Sequence, residues 1–258
     1  MIRAVAKEWL VDGIQGLGQL ALFFTEAIQS LFTRKLSWQD VLYQLHFIGV
    51  KSQSVVLITG AFTGMVLCAQ TFFQFHKVKM DTATLAVVSV SMSSELGPVL
   101  TALMVAGRVG AAMAAELGTM RVTEQIDALR TLATHPTDYL VVPRLLATLI
   151  ALPLLTAESV VVGISASYVV GVFLLKMDAT YAWANMIKYS HSQDVITGLI
   201  KALIFGGIIA TVSCYKGMNC GEGAEGVGRA TTEAVVYASI SILISNFFLT
   251  LLLTRLLA

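Results

Sequence analysis

Five long apolar stretches constrain the fold of this chain more than any other feature of its sequence. Ser52–Phe75 and Ala234–Thr254 contain no charged residue, and Ala83–Gly107, Leu145–Leu175 and Val195–Tyr215 contain one each. About 20 apolar residues in a helix cross the hydrocarbon core of a bilayer, so each stretch is long enough to span a membrane. Hydrophobic residues make up 56% of the chain and charged residues 13%. The sequence therefore predicts an all-α integral membrane protein with five transmembrane helices.

The first 48 residues have a different pattern, in which apolar residues recur at helical spacing with charges between them. The apolar residues are Ile2, Val5, Trp9, Leu17, Leu20, Ala21 and Phe24, and the charged ones are Lys7, Glu8 and Asp12. This pattern is typical of an amphipathic helix that lies in the membrane interface. We therefore predict an interfacial N-terminal region (1–48) and a transmembrane domain (49–258). Eleven of the 17 lysines and arginines fall on the side of the N-terminus, which predicts a cytoplasmic N-terminus and an external C-terminus.

Three charged residues lie inside the apolar stretches. Glu95 precedes Gly97 and Pro98, which weaken the helix because proline lacks an N–H donor. A carboxylate at this depth costs about 2.5–3.5 kcal/mol on insertion scales. Glu95 could face a polar cavity or bond a neighbouring helix, and the cavity is favoured. For Glu158 a functional role and a packing role stay open, and we expect Lys201 to extend toward the nearer membrane surface.

The connector between the second and third stretches, about 108–143, is too long and too patterned for a simple loop. Gly110, Ala114 and Gly118 are spaced to let a neighbouring helix approach closely. A short amphipathic helix follows. Its predicted apolar stripe is Ile126, Leu129 and Ala133, and its polar side is Glu124, Asp127 and Arg130. This helix could rest on the membrane or on its own bundle, but the interpretation we favour is a docking helix for a cytoplasmic partner.

Several function classes find no support in the sequence. Gly221–Gly226 satisfies the G-x-G-x-x-G pattern, but no strand precedes it, and no P-loop motif occurs anywhere. We therefore expect no enzyme activity in this chain and no bound cofactor, with ATP bound by a partner. The four histidines and three cysteines show no spacing typical of a metal site. The net charge of +1 gives no indication of nucleic-acid binding.

The central block of the sequence resembles the signature of MlaE-type permeases, the membrane subunits of ABC systems that move phospholipids between bacterial inner and outer membranes. The residues that carry the resemblance are Glu95-Leu96-Gly97-Pro98, Ala106-Gly107-Arg108-Val109-Gly110-Ala111-Ala112, Ala115-Glu116-Leu117-Gly118-Thr119-Met120 and Glu124-Gln125-Ile126-Asp127-Ala128-Leu129. Later matches are Pro143-Arg144, Leu152-Pro153-Leu154-Leu155 and Gly226–Thr232. The resemblance extends from about residue 49 to the C-terminus.

The resemblance implies an interfacial N-terminal helix, five spans, a cytoplasmic coupling helix, and a location in the bacterial inner membrane with a periplasmic C-terminus. It implies four protein partners: a second copy of the chain, a cytoplasmic ABC ATPase that binds ATP and Mg²⁺, a periplasmic MCE-domain hexamer and a STAS-domain protein. Its implied coupling residues are Glu124, Gln125, Asp127, Ala128 and Leu129. Its implied phospholipid cavity is lined by Leu67, Thr71, Phe72, Gln74, Phe75 and Glu95. Ser94 stands where some members have an arginine, which could change the contact with the lipid headgroup.

Two other functions are compatible with the residues alone. An ion-coupled secondary transporter could use Glu95, Glu158 and Lys201, although no pair of repeats with matching broken spans is visible. A membrane scaffold that only anchors peripheral proteins would not need an intramembrane acid beside a Gly-Pro break. We therefore expect a permease subunit of an ABC-type lipid transporter.

Overall fold

Long apolar runs, ended by short polar or glycine-containing links, fold into helices along the described chain. The computed structural model describes residues 15, 16, 18–30 and 37–257. The predicted interfacial residues Ile2, Val5, Lys7, Glu8, Trp9, Asp12 and Leu17 lie outside that part. The helices are α1 (18–30), α2 (Trp38–Ile48), α3 (Gln53–Lys77), α4 (Thr84–Ser91), α5 (Gly97–Val105), α6 (Ala111–Val122), α7 (Gln125–Thr131), α8 (Val142–Val169), α9 (Ala179–Tyr189), α10 (Ser192–Met218) and α11 (Gly223–Leu257).

Several of these helices join into longer ones. Short π-helical segments, in which backbone bonds close one residue later than in an α-helix, connect or extend them at Met92–Leu96, Ala106–Gly110, Thr137–Val141 and Val170–Leu174. Within the described residues, five continuous helices are long and apolar enough to span a membrane. They are Trp38–Lys77, Asp81–Val122, Thr137–Leu174, Ser192–Met218 and Gly223–Leu256. The predicted all-α fold with five candidate spans is confirmed.

The second span is longer than the sequence indicated. It continues beyond Gly107 through α6 to Val122, so Gly110, Ala114 and Gly118 lie on a helix rather than in a loop. These small residues pack against α10 and α11, as their spacing predicted. A Cβ atom added to Gly110 would lie 2.8 Å from Ser213 Oγ, and one added to Gly118 would lie 3.3 Å from Val227.

Helix α8 lies at the centre of the bundle and packs against α2, α3, α5 and α10. Its closest approach is to α3, where Gly60 and Gly64 meet Ser159 and Gly163. A Cβ atom added to Gly64 would lie 2.1 Å from the carbonyl oxygen of Gly163. The two backbones are thus in direct contact, a geometry that small residues allow within membranes.

Helix α9 was not predicted. Its N-terminus is capped by Asp178, whose carboxylate accepts from the backbone N–H groups of Thr180 and Tyr181. The helix packs beside α4, and Ser190 at its end donates to Ser89 Oγ at 2.8 Å. Ser89 lies inside the second apolar stretch, and α10 begins at Ser192, two residues after Ser190. Helix α10 therefore starts at the depth of the interior of α4 and not at the depth of the outer end of α4.

Candidate functional site

The candidate site forms around Glu95, where the second span changes from α-helix to π-helix. Pro98 has no N–H and leaves the carbonyl of Ser94, four residues earlier, without its helical donor. The N–H of Gly97 reaches back to the carbonyl of Met92 instead. The Gly-Pro pair therefore frees backbone acceptors and turns Glu95 toward α10 and α11.

Lys201 of α10 is the ion-pair partner of Glu95. Its Nζ lies 2.6 Å from Glu95 Oε1, 2.8 Å from Thr250 Oγ1 and 3.1 Å from the free carbonyl of Ser94. These three partners match the three hydrogens of an ammonium group. The side chain is 0% exposed.

The expectation that Lys201 extends to the membrane surface is wrong. Gly198 allows α10 to pack closely on the π-helical turn, since a Cβ atom there would lie 2.1 Å from the carbonyl oxygen of Ser93. The inward start of α10 also places Lys201 deeper than its distance along the sequence suggested. Lys201 therefore lies next to Glu95 rather than near the end of the bundle.

Helix α11 completes the cluster with two polar side chains. Asn246 Nδ2 donates to Glu95 Oε2 at 3.2 Å, and Thr250 Oγ1 lies 3.0 Å from Glu95 Oε1. The sequence analysis missed both residues. Their spacing of four residues in a stretch without charged residues was the available signal, because it places both on one helix face.

One edge of the cluster is open. The Glu95 side chain is 36% exposed, whereas Lys201 is enclosed. The site is therefore a neutral ion pair whose carboxylate can accept a further hydrogen bond from one side. In the part of the chain that the structure describes, no group of three or more His, Cys, Asp and Glu residues is placed to hold a metal ion.

The predicted cavity residues of α3 lie outside the hydrogen-bond network of Glu95. Leu67 and Phe72 pack against the same apolar cluster as Leu96, which is the residue after Glu95. Thr71 and Phe75 are half-buried, and Gln74 is exposed. Ser94 Oγ donates to the carbonyl of Val90 at 2.8 Å. Their contact with lipid stays a prediction.

Glu158 does not join the cluster. Its Oε2 atom on α8 is buried and has no hydrogen-bond partner among the described residues. The structure thus separates the two intramembrane acids that the sequence singled out, one in a bonded network and one outside it.

The predicted coupling residues lie on and before α7. Ile126 is buried, and Leu129 packs against the same apolar cluster, so this part of the predicted stripe rests on the chain's own bundle. Ala133 does not belong to the stripe, because α7 ends at Thr131 and Ala133 is exposed with φ 56°. Glu124, Gln125 and Ala128 are exposed.

Comparison with known proteins places this architecture in a family. Residues 41–252 match the family model described as "Permease MlaE". The chain belongs to the MlaE permease family. It is 47% identical over 236 residues to a probable ABC transporter permease protein of Rickettsia felis, covering 92% of this chain and 91% of that protein. A probable ABC transporter permease protein of Synechocystis is 42% identical, with 90% of this chain and 89% of that protein covered.

A relative with a more specific name comes from Haemophilus influenzae. Its intermembrane phospholipid transport system permease protein MlaE is 33% identical over 250 residues, 96% of this chain and 95% of that protein. The resemblance found in the sequence is thereby confirmed. This MlaE-family chain is a permease of the ABC transporter class and a multi-pass inner-membrane protein.

In this MlaE-family permease, α11 presents a long apolar face with no described partner. Its inner stripe carries Ala234, Ala238, Ile242, Asn246 and Thr250, spaced four residues apart. Its outer face carries exposed apolar residues, namely Val236, Tyr237, Ile240, Leu243, Ile244, Phe247, Phe248, Leu251 and Leu252. The polar cluster therefore lies directly behind this uncovered face.

Proposed function

We propose that the chain is the permease subunit of a lipid transporter that moves phospholipids between the inner membrane and periplasmic or outer-membrane carriers. A partner ATPase supplies the energy. The observation that carries the proposal is the partly exposed Glu95 in a network with the fully buried Lys201 and the half-buried Asn246 and Thr250, set among apolar spans. The name of the Haemophilus relative supports phospholipid as the substrate.

The geometry suggests how a lipid is held. The open edge of Glu95 accepts a hydrogen bond from an amine or hydroxyl of a headgroup, while Lys201 holds the carboxylate from the enclosed side at 2.6 Å. The acyl chains contact the apolar side chains of α3, including Leu67 and Phe72. Thr71, Gln74 and Phe75 extend this surface toward the outer end of α3. The permease does no bond chemistry and works by changing how its helices pack.

A second copy of the chain encloses the site. The outer face of α11 is apolar from Val236 to Leu252, and the open edge of Glu95 lies beside Asn246 and Thr250 of the same helix. Two copies that meet across α11 would place two such edges around a shared cavity. The interface would also cover the apolar face, since close helix packing is what associates helices in a membrane.

The remaining partners follow from the same proposal. A cytoplasmic ATPase binds ATP and Mg²⁺ and contacts the region of α7, while an MCE-domain hexamer and a STAS-domain protein complete the assembly. The N-terminus lies in the cytoplasm and the C-terminus in the periplasm, in line with the lysine and arginine distribution.

The test begins with native mass spectrometry of the chain purified with its neighbours, in which an ATPase and bound phospholipid are expected together. Transport of labelled phospholipid is then measured in proteoliposomes for Glu95→Gln. Ser165→Ala is the control, because Ser165 is an exposed residue of α8 whose hydroxyl donates to the carbonyl of Val161 in its own helix. We expect Glu95→Gln to lower transport at least about tenfold, the loss of roughly 1.4 kcal/mol of interaction, and Ser165→Ala to leave it unchanged. Transport that needs no ATP and stops with a protonophore would instead support the ion-coupled alternative.

A further inference from the structure

The carboxylate of Asp127 is held by two arginines of its own chain. Arg121 Nη1, at the end of α6, lies 2.9 and 3.0 Å from the two oxygens of Asp127, and Arg130 Nη1 lies 3.2 Å from Oδ1. This arrangement satisfies the carboxylate from within the chain. We propose that Asp127 is a positioning residue, which fixes α7 so that Gln125, Ala128 and Leu132 face the partner ATPase. The inference rests on the proposed function.

The inner side of α7 is already occupied. Ile126 is 1% exposed in a cluster with Leu117, Leu140 and Leu145, and Leu129 packs against the same cluster. These side chains join α7 to α6, to the start of α8 and to the π-helical segment before it. A partner protein can therefore reach only the opposite side without displacing the helix.

The short length of α7 explains why Asp127 matters. A helix of seven residues is not stable alone in water, and α7 begins after Glu124, which has φ 60°. Surface ion pairs have modest effects, about two- to fivefold on an equilibrium. Such a factor is sufficient to shift the preferred orientation of a seven-residue helix that packs on the bundle through Ile126 and Leu129.

The outward side of this segment is formed by Gln125 and Ala128 of α7 and by Leu132, the residue that caps its C-terminus. Their spacing of three and four residues places them on one face, and Leu132 is 74% exposed. The apolar stretch of the second span ends at Gly107, and α6 continues to Val122. At 1.5 Å per residue this extension carries the helix about 20 Å past Gly107, and α7 then packs with Leu140 and Leu145 of the third span. The exposed Glu124 beside the outward face would be repelled by anionic lipid headgroups, which favours a protein partner over a lipid surface there.

Photocrosslinking tests the outward face. A benzophenone amino acid is placed at Leu132, the C-cap of α7, in the intact complex, and at Tyr139 as the control, since Tyr139 is also exposed but lies in the π-helical segment before α8. We expect Leu132 to crosslink to the ATPase at several times the yield of Tyr139. Equal yields, or crosslinks from Leu132 to lipid alone, would overturn the inference. A purified complex that contains no ATPase would overturn the proposed function and this inference with it.

A double-mutant cycle tests the positioning role. Asp127→Asn and Arg121→Gln should each lower the crosslink yield at Leu132, and the phospholipid moved per ATP hydrolysed, by about two- to fivefold. The double variant should be no worse than either single variant, because both remove the same contact. Asp127→Glu, which keeps the charge, should retain most of both quantities. If the losses of the two single variants add in the double variant, and Asp127→Glu is as impaired as Asp127→Asn, then Asp127 contacts the ATPase directly. That result would overturn the inference.

Discussion

At the scale of single residues, the two charges of the candidate site differ in their access to solvent. Lys201 is fully enclosed, whereas the Glu95 side chain is about one-third exposed. Removing one member of a buried pair leaves the other charge uncompensated, and this cost grows with its burial. The stability of the permease should therefore depend more on keeping Glu95 than on keeping Lys201.

This asymmetry gives a testable order of stabilities. Glu95→Leu leaves Lys201 enclosed without its counter-charge and should lower the free energy of unfolding by about 3–5 kcal/mol. Lys201→Met leaves a carboxylate that is partly exposed and still bonded by Asn246 and Thr250, so a loss of about 1–3 kcal/mol is expected. The double variant, with both Glu95→Leu and Lys201→Met, leaves no unpaired charge and should recover much of the stability that Glu95→Leu alone loses. Thermal unfolding in one detergent measures all three, and a Lys201→Met variant less stable than Glu95→Leu would contradict this account.

The sequence predicted some of these residues and missed others for a physical reason. Glu95 was found because an acid in an apolar stretch has few explanations. Lys201 was assigned to the surface because its depth was counted along α10, but the bond from Ser190 to Ser89 shows that this helix starts inside the bundle. Asn246 and Thr250 are uncharged, so hydropathy alone gave them no weight. Depth and partner depend on packing between helices, which a single sequence does not contain.

At the scale of helices, apolar length predicted the spans well, and small residues predicted where helices touch. The sequence did not indicate that the second span extends through α6, or that α9 exists, because both segments mix polar and apolar residues. The structure also shows what the Gly-Pro pair does. Without the N–H of residue 98, the Ser94 carbonyl becomes an acceptor for Lys201 at 3.1 Å.

The freed carbonyl leads to a prediction for Pro98→Ala. Alanine supplies the N–H that an α-helix directs to the Ser94 carbonyl, which would then compete with Lys201 for that acceptor. We expect the helix itself to gain stability, while phospholipid transport falls about two- to fivefold because one Lys201 contact is weakened. Transport assays on Pro98→Ala, alone and in the Lys201→Met background, measure how much of the fall depends on Lys201. A Pro98→Ala effect of equal size in the Lys201→Met background would contradict the assignment.

The crossing of α3 and α8 supports a second prediction at this scale. Gly64→Ala would place a methyl group 2.1 Å from the Gly163 carbonyl oxygen, so the helices must separate. Overpacking of this kind costs about 1–3 kcal/mol. Gly107→Ala is the matched control, because a Cβ atom there has no neighbour within 4 Å. Unfolding temperatures in detergent should fall for Gly64→Ala and stay level for Gly107→Ala, and the reverse order would show that the contact is described wrongly.

At the scale of the whole molecule, the bundle is covered unevenly. Helices α8 and α10 bury about half of their residues against neighbours, whereas α11 contributes Asn246 and Thr250 of its inner stripe to the site and leaves its outer face exposed. Motion of α11 would therefore affect both the proposed contact with a second copy and the bonds of Asn246 and Thr250 to Glu95. The cavity proposed between two copies and the polar cluster are thus physically linked through a single helix.

The proposed contact between two copies predicts which residues crosslink. A cysteine at Leu243, midway along the outer face of α11, should form a disulfide between two copies on mild oxidation, because identical residues meet where the two-fold axis crosses a symmetric interface. Val161→Cys on α8 is the control, since Val161 is exposed to a similar degree on another face.

The native thiols should contribute little background. Cys68 and Cys214 are buried, and burial raises the pKa of Cys220, which lowers its reactive thiolate fraction despite the opposing effect of Arg121. Dimers on non-reducing gels for Leu243→Cys but not Val161→Cys are the expected result. The reverse pattern would place the second copy against α8 and leave the open edge of Glu95 facing lipid.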